Sequence, residues 1–170
     1  AYQLKSLGLR PIIIERNDKI GGHLAQWDRL FPSSEEANKL LERLKEQVKD
    51  VEIKLNSRIS SIEKEDEIFH VTLTNNKTYD VSAVVLCTGF DLFKAEKKQE
   101  YGYGIYNNVI TNAELEHYFK THNDERIKEP KRIGFVHCVG SRDVRFNNTY
   151  CSKVCCATAL KRACEIKEEF

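Results

Sequence analysis

The chain has 170 residues and a formal net charge of +1, from 27 Lys and Arg against 26 Asp and Glu. That balance gives no general reason to expect nucleic acid or an anionic membrane surface as partner, and no apolar run approaches the roughly 20 residues of a membrane span. With 41% apolar and 31% charged residues, the composition is that of an ordinary soluble chain, long enough to bury a core as one domain or two small ones.

Six cysteines are present and no charged-then-apolar leader precedes them. Export is therefore not expected, and the cysteines read as metal ligands or redox groups rather than as a disulfide framework. There is no Met, and the opening Ala1-Tyr2-Gln3-Leu4-Lys5 reads as the inside of a helix. The sequence is accordingly expected to be a piece of a longer protein.

In chain order, 1–7 is the end of a helix stopped by Gly8. Arg10 to Glu15 is a strand whose run Pro11-Ile12-Ile13-Ile14 suggests burial on both faces, as in a parallel sheet. A polar loop through Gly21-Gly22 and Pro32 follows. Ser33 or Ser34 is placed to cap a helix in which Leu40, Leu41, Leu44 and Val48 repeat at helical spacing. Strands are expected at 51–55 and 58–63, then a hairpin of 69–74 and 77–81 around Asn75-Asn76. Ala83-Val84-Val85-Leu86-Cys87 reads as another buried strand. Residues 90–108 are irregular, Thr111 caps a helix over 113–119, and 121–130 is a charged, turn-rich linker. Arg132 to His137 is expected as a third buried strand and 155–169 as a helix.

A strand ending in an acid and followed by a glycine pair is what remains of a βαβ dinucleotide unit once its first strand and Gly-rich turn are removed. The acid in such a unit accepts hydrogen bonds from the ribose hydroxyls, and Glu15 stands at that place. An acid at a strand end is also common on ordinary surfaces, so Glu15 alone leaves both readings open. Ile20-Gly21-Gly22-His23-Leu24 follows as a loop beside a cofactor would, and a later strand closes on Cys87-Thr88-Gly89, where small residues let the backbone approach a ligand. Together these resemble the flavoprotein disulfide-reductase pattern. Cys87 holds the position usually filled by Ala and reads as a small buried core residue.

Four of the cysteines, Cys138, Cys151, Cys155 and Cys156, follow the pattern C-x12-C-x3-C-C. Four thiolates are the usual ligand set of a [4Fe-4S] cluster, and they also suit a structural zinc. Zinc sites favour C-x2-C knuckles, which are absent, so the spacing favours iron–sulfur. Cys155-Cys156 open a helix, whose unpaired N–H groups and positive dipole end favour an anionic cluster. Cys164 is expected to pack in the core, with a role as a redox thiol as the alternative, and His137, placed beside Cys138 where it could tune or ligate a centre, is expected rather as a hydrogen-bonded strand histidine. No catalytic residue stands out.

The runs Cys87-Thr88-Gly89-Phe90-Asp91, Glu100-Tyr101-Gly102-Tyr103-Gly104 and Asn108-Val109-Ile110-Thr111 resemble the A subunit of heterodisulfide reductase and its relatives. So does the block Cys138-Val139-Gly140-Ser141-Arg142-Asp143 with Tyr150-Cys151-Ser152-Lys153-Val154-Cys155-Cys156. That family includes the quinone-interacting oxidoreductase A subunits. The resemblance implies an α/β fold: a partial Rossmann-like FAD-binding domain of the flavoprotein disulfide-reductase type, with a short antiparallel β insertion. Residues 1–125 would be that domain without its Gly-rich turn, and residues 126–170 the start of a second Rossmann-like unit carrying the cysteines.

It further implies an FAD- and iron–sulfur-dependent electron-transfer subunit, an oxidoreductase, in a cytoplasmic complex. Glu15 would bind the FAD ribose, Gly21 and Gly22 would line the flavin loop, and Thr88 and Gly89 would close the site. Cys138, Cys151, Cys155 and Cys156 would ligate the [4Fe-4S] cluster. Partners would be other subunits of a heterodisulfide reductase-like or quinone-interacting complex, with a homodimer also open and neither nucleic acid nor a direct membrane span involved. The piece alone is expected to be inactive. Two other classes stay in view: a non-catalytic interaction module with zinc on the same four cysteines, and a thiol oxidoreductase working through Cys155 or Cys156.

Overall fold

A computed structural model describes residues 1–127 and 131–169. The chain divides into two compact units, one of residues 1–25 and 39–90, the other of 26–38 and 91–170.

In the first unit, helix α1 (Tyr2–Ser6) ends before Gly8 and leads into strand β1 (Ile12–Ile14). β1 pairs in parallel with β2 (Glu52–Lys54), Ile13 opposite Ile53, and helix α2 (Ala37–Gln47) lies between them in sequence. The strand, helix and strand expected in turn over 10–55 thus form a parallel βαβ unit with β1 as its first strand. The β1 isoleucines are only half buried, because β2 is the one ladder neighbour of β1 among the described residues. α2 does not start on Ser33 or Ser34. The Ser33 hydroxyl accepts from the Glu35 N–H at 3.3 Å, while the Ala37 N–H donates to the Asp28 carbonyl at 2.8 Å. A backbone carbonyl thus takes the partner role foreseen for a serine cap.

The antiparallel insertion is a meander of β3 (Ile59–Glu65), β4 (Ile68–Leu73) and β5 (Thr78–Val81), with β4 central. β4 buries Val71 and Leu73. The β4–β5 turn falls at Asn75-Asn76 as expected: Asn76 takes φ +65°, the Asn76 N–H donates to the Leu73 carbonyl, and the Asn75 side chain accepts from the Lys77 N–H. Asn tolerates this left-handed conformation better than most residues.

Two expected strands do not form. Residues 83–87 and 132–137 carry no ladder, and Val85 (69%), Leu86 (73%) and Val136 (62%) are well exposed. An apolar, β-prone run becomes a strand only where a neighbour satisfies its N–H and C=O groups, and no described strand pairs with either run. Cys87 is consequently exposed rather than a core residue.

In the second unit, Thr111 caps helix α3 (Asn112–Thr121) through a complete capping box with Glu114. α3 and helix α4 (Cys155–Glu169) contribute to a core of Leu115, Tyr118, Ile127 and Ile166, with Ile110, Phe119 and Phe135 against it. The inward stripe of α4 is Ala159, Arg162 and Ile166. Cys164 lies two residues from Arg162, on the far side of the helix, and is exposed, which corrects the expectation that it packs in the core. Of the expected linker at 121–130, Thr121 ends α3, residues 125–127 form a 3-10 turn, and 128–130 lie outside the described residues.

Candidate functional site

In the first unit, Glu15 follows β1 directly. Its N–H donates to the Lys54 carbonyl at 2.9 Å and its carbonyl accepts from the Ser57 N–H at 2.9 Å, which fixes it at the strand end. One carboxylate oxygen accepts from the Asn17 N–H at 2.8 Å. Gly21 has φ +124°, and a Cβ there would stand 2.9 Å from Leu41 Cδ1 and 3.3 Å from Ala25 Cβ. Only a residue without a side chain lets this loop lie so closely on α2. The His23 Nε2–H donates to the Phe90 carbonyl at 2.9 Å, and the two rings stack with centroids 4.8 Å apart. This contact holds the glycine-pair loop against the segment bearing Thr88 and Gly89, so four of the five expected cofactor residues sit on two joined stretches. Neither His23 nor Phe90 stood out in the sequence as a link between them.

In the second unit, the cysteine loop is built to return on itself. The Arg142 N–H donates to the Tyr150 carbonyl at 3.0 Å, and Asp143 and Asn148 exchange backbone hydrogen bonds of 2.8 and 3.1 Å. The Asn148 side chain donates to the Gly140 carbonyl at 3.0 Å, and the Asp143 carboxylate caps a 3-10 turn over Val144–Phe146. These bonds fold the twelve residues between Cys138 and Cys151 into a closed loop and draw its ends together. Gly140, at φ +78°, lies directly against the Phe93 ring, and Phe146 meets the same ring edge-on at 5.2 Å.

Lys98, only 3% exposed, anchors this loop. Its ammonium pairs with Asp143, lies 3.5 Å from Glu100, and stands over the rings of Tyr101 and Phe146. The hydrogen bond from Lys98 holds the Asp143 carboxyl below its ordinary range, and the same bond raises Lys98. Arg145 donates to Glu100 at 2.9 Å and closes the network.

Cys155 and Cys156 open α4, a 15-residue helix whose N-terminus presents unpaired N–H groups and a positive dipole end. The Cys155 thiol is shifted down: first by the Ser152 hydroxyl donating to it, against partial desolvation, and then by Cys156 and by the N–H groups of Cys138 and Cys156. Cys156 is shifted up, by desolvation first and then by the negative charge of Cys155, Cys138 and Cys151 nearby. The other three thiols therefore lie within electrostatic reach of Cys156. Cys138 takes φ +60°, a region few non-glycine residues adopt and one that gathers at ligand-binding turns. The Cys151 sulfur accepts from the Lys153 N–H at 3.3 Å. His137 is exposed, outside any strand, and its ring shares a cluster with Cys155 and Cys156 in which the donor atoms lie within 4.8 Å of one another. It is thus no strand histidine. Its position beside Cys138 is the sequence signal for this proximity. Ser152, inside the C-x3-C spacing, was missed.

No described helix is long and apolar enough to cross a membrane.

A family model described as flavin containing amine oxidoreductase matches residues 35–125, 91 of the 170. The A subunit of the H(2)/formate:CoB-CoM heterodisulfide,ferredoxin reductase of Methanococcus maripaludis is 48% identical over 91 residues, covering 49% of this chain and 14% of the relative. The second iron-sulfur A subunit of the CoB–CoM heterodisulfide reductase of Methanopyrus kandleri is 42% identical over 99 residues, covering 54% of this chain and 15% of the relative. Among solved structures, a bacillithiol disulfide reductase from Bacillus cereus is similar over 47% of this chain and 32% of its own, with 20% identity and a TM-score of 0.39. The matched stretch is thus about one seventh of the length of the curated relatives. Matched over more than half of its length, the chain belongs to the flavin containing amine oxidoreductase family, and its homologues include the A subunits of heterodisulfide reductases.

Proposed function

We propose that this chain is the part of a heterodisulfide reductase A-type subunit that carries FAD and a [4Fe-4S] cluster, passing electrons within a larger oxidoreductase complex. The observation that carries the reading is the four-cysteine set itself, in which Cys155 and Cys156 open α4 and a hydrogen-bonded loop links Cys138 to Cys151. The chemistry of the donor set suits the cluster: four thiols, on a hydrogen-bonded loop and a helix start, with hydroxyl and N–H donors directed at the Cys155 sulfur. Hydrogen bonds to sulfur and the local charge are the protein's means of setting a cluster's potential. The Methanopyrus kandleri relative is named an iron-sulfur subunit, which agrees with this donor set.

Cys138, Cys151, Cys155 and Cys156 would hold the cluster, which supplies one-electron storage when bound. The work of this chain's residues is then to position and to tune: Lys98 and Asp143 hold the loop between Cys138 and Cys151, and Ser152 stabilises negative charge on Cys155. In the first unit, Glu15 would accept from the FAD ribose hydroxyls. Gly21 and Gly22 would admit the cofactor along the loop, and Thr88 and Gly89 would close over it. FAD itself supplies the hydride and electron chemistry. We assign residues 1–125 to the FAD-binding part and 126–170 to the start of a second Rossmann-like unit. The partners in this reading are the other subunits of such a complex, in the cytoplasm.

The test is iron, sulfide and flavin content of anaerobically prepared protein, with its visible absorption spectrum. Iron and sulfide at about four each per chain, with loss of iron in Cys138→Ser, Cys151→Ser, Cys155→Ser and Cys156→Ser alike, are expected. Undiminished iron in all four variants sinks the ligand set. Loss of flavin in Gly21→Val, with iron retained, is expected if the first unit holds FAD.

A further inference from the structure

The described residues bring a second kind of donor to the cysteines. The His137 ring and the sulfurs of Cys155 and Cys156 lie within 4.8 Å of one another. Ligands on one tetrahedral zinc ion, with metal–sulfur bonds of about 2.3 Å and metal–nitrogen bonds of about 2.0–2.1 Å, stand on the order of 3.5–4 Å apart. Small rotations of three side chains therefore close this trio onto a single ion. A cube places each thiolate on a different iron, so its ligands must stand further apart than donors on one ion, and its four-thiolate set uses Cys138 and Cys151 and no imidazole. The spacing of the trio suits one ion better than it suits the corners of a cluster.

Chemistry narrows the ion. Two thiolates and one imidazole suit zinc-type, borderline-soft divalent ions and disfavour magnesium or calcium, which take oxygen ligands. The α4 N-terminus favours the two thiolates, and exposure of His137 and Cys156 leaves an entry path from solvent. Three protein donors leave the fourth tetrahedral position for water or a small ligand.

We propose that His137, Cys155 and Cys156 form a three-donor site for a single zinc-type divalent ion in the cluster-free protein. Binding releases the two thiol protons to solvent and engages the neutral imidazole. Since Cys155 and Cys156 also belong to the cluster set, ion and cluster exclude one another, and a bound ion blocks cluster loading. This site differs from a four-thiolate zinc knuckle in its donors and stands or falls separately from the iron–sulfur reading.

The experiment is anaerobic titration of the reduced, metal-stripped chain with Co2+, followed by displacement with Zn2+. Expected are one Co2+ per chain, thiolate-to-cobalt absorbance with the visible bands of a tetrahedral ion, and loss of both on adding one equivalent of Zn2+. His137→Ala, Cys155→Ser and Cys156→Ser are expected to weaken Co2+ binding by more than about tenfold, the smallest effect associated even with outer-shell partners of a metal. Cys138→Ser and Cys151→Ser are expected to bind it within about twofold of the parent chain. His137→Asn serves as a second probe of the imidazole, and circular dichroism checks that each variant is folded. Wild-type Co2+ affinity in both folded His137 variants overturns the proposal, as does loss of binding in Cys138→Ser or Cys151→Ser equal to that in Cys155→Ser. Absence of Co2+ binding by the parent chain overturns it too. The iron–sulfur reading fails on a different result: full iron in Cys138→Ser and Cys151→Ser. His137→Ala is expected to load iron as the parent does, and better than the parent when Zn2+ is present.

Discussion

Replacing Arg162 by Met removes a cation from the most enclosed polar cluster of the second unit. Arg162 is 1% exposed. Its Nε donates to Glu116 Oε1 at 2.5 Å and its Nη2 to the other oxygen of the same carboxylate, a bidentate pair. Nη1 donates to Glu165 at 2.5 Å and lies 3.6 Å from Asp28, and the guanidinium stacks 4.7 Å from the Phe119 ring centroid. Met keeps most of the apolar stem, so the loss is electrostatic. Glu116, 7% exposed, loses the guanidinium that pairs with both of its oxygens, while Glu165 keeps Lys161 at 3.5 Å and Asp28 keeps Arg29 at 3.6 Å. Removing one partner of a buried ion pair costs about 3–5 kcal/mol. At about 2–4 °C per kcal/mol for a chain of this size, that is a fall in Tm of roughly 6–20 °C.

Urea and thermal unfolding of the whole chain, followed by far-UV circular dichroism, measure it. The variant Glu116→Leu with Arg162→Met separates the causes. If the penalty is an uncompensated buried charge, the double variant recovers much of the loss. A single-variant loss below about 1 kcal/mol, the range of an exposed pair, would refute the reasoning. So would a double variant no more stable than Arg162→Met, because the guanidinium would then act by shape alone.

Asp143 and Lys98 set a pH window. A carboxyl held below its unfolded value, about 3.9, contributes stability that is present above that value and lost as pH falls through the folded one. A lysine held above about 10.4 contributes stability that is present below that value and lost as pH rises through the folded one. Asp143→Asn is therefore expected to flatten the acid limb of stability against pH below about pH 4, and an unaltered limb counts against the pair. Thr111→Ala opens the capping box and is expected to cost about 0.5–2 kcal/mol in urea unfolding, with Thr111→Ser near the parent; equal losses in both would deny the cap. Gly140→Ala sets a methyl into the Phe93 ring at a left-handed backbone and is expected to cost about 1–3 kcal/mol. Adding Phe93→Ala should return part of that, and no loss in the single variant would show that the loop packs elsewhere.

The features legible in the sequence are those decided by neighbours in the chain. Thr111 with Glu114 forms a capping box within one helical turn, Asn75-Asn76 makes its own turn, and Cys155 to Glu169 becomes a helix by continuous propensity and pattern. The features that misled depend on residues far away. Val85, Leu86 and Val136 have strand-forming side chains, yet a strand is a property of a pair, and no described ladder reaches them. Cys164 looked apolar enough for a core, but the inward stripe of α4 is set by Arg162, whose carboxylate partners come from α3, from α4 itself and from the segment before α2. The candidate site divides along the same line. C-x12-C-x3-C-C marks four candidate donors through residue type and spacing, because side-chain type carries the chemistry. What closes the loop is Lys98, forty residues before Cys138 and without any motif, and what brings His137 to the thiols is the fold of that loop. A motif therefore gives the candidate donors of such a site, whereas the residues packed around them are found only once the chain has turned back on itself.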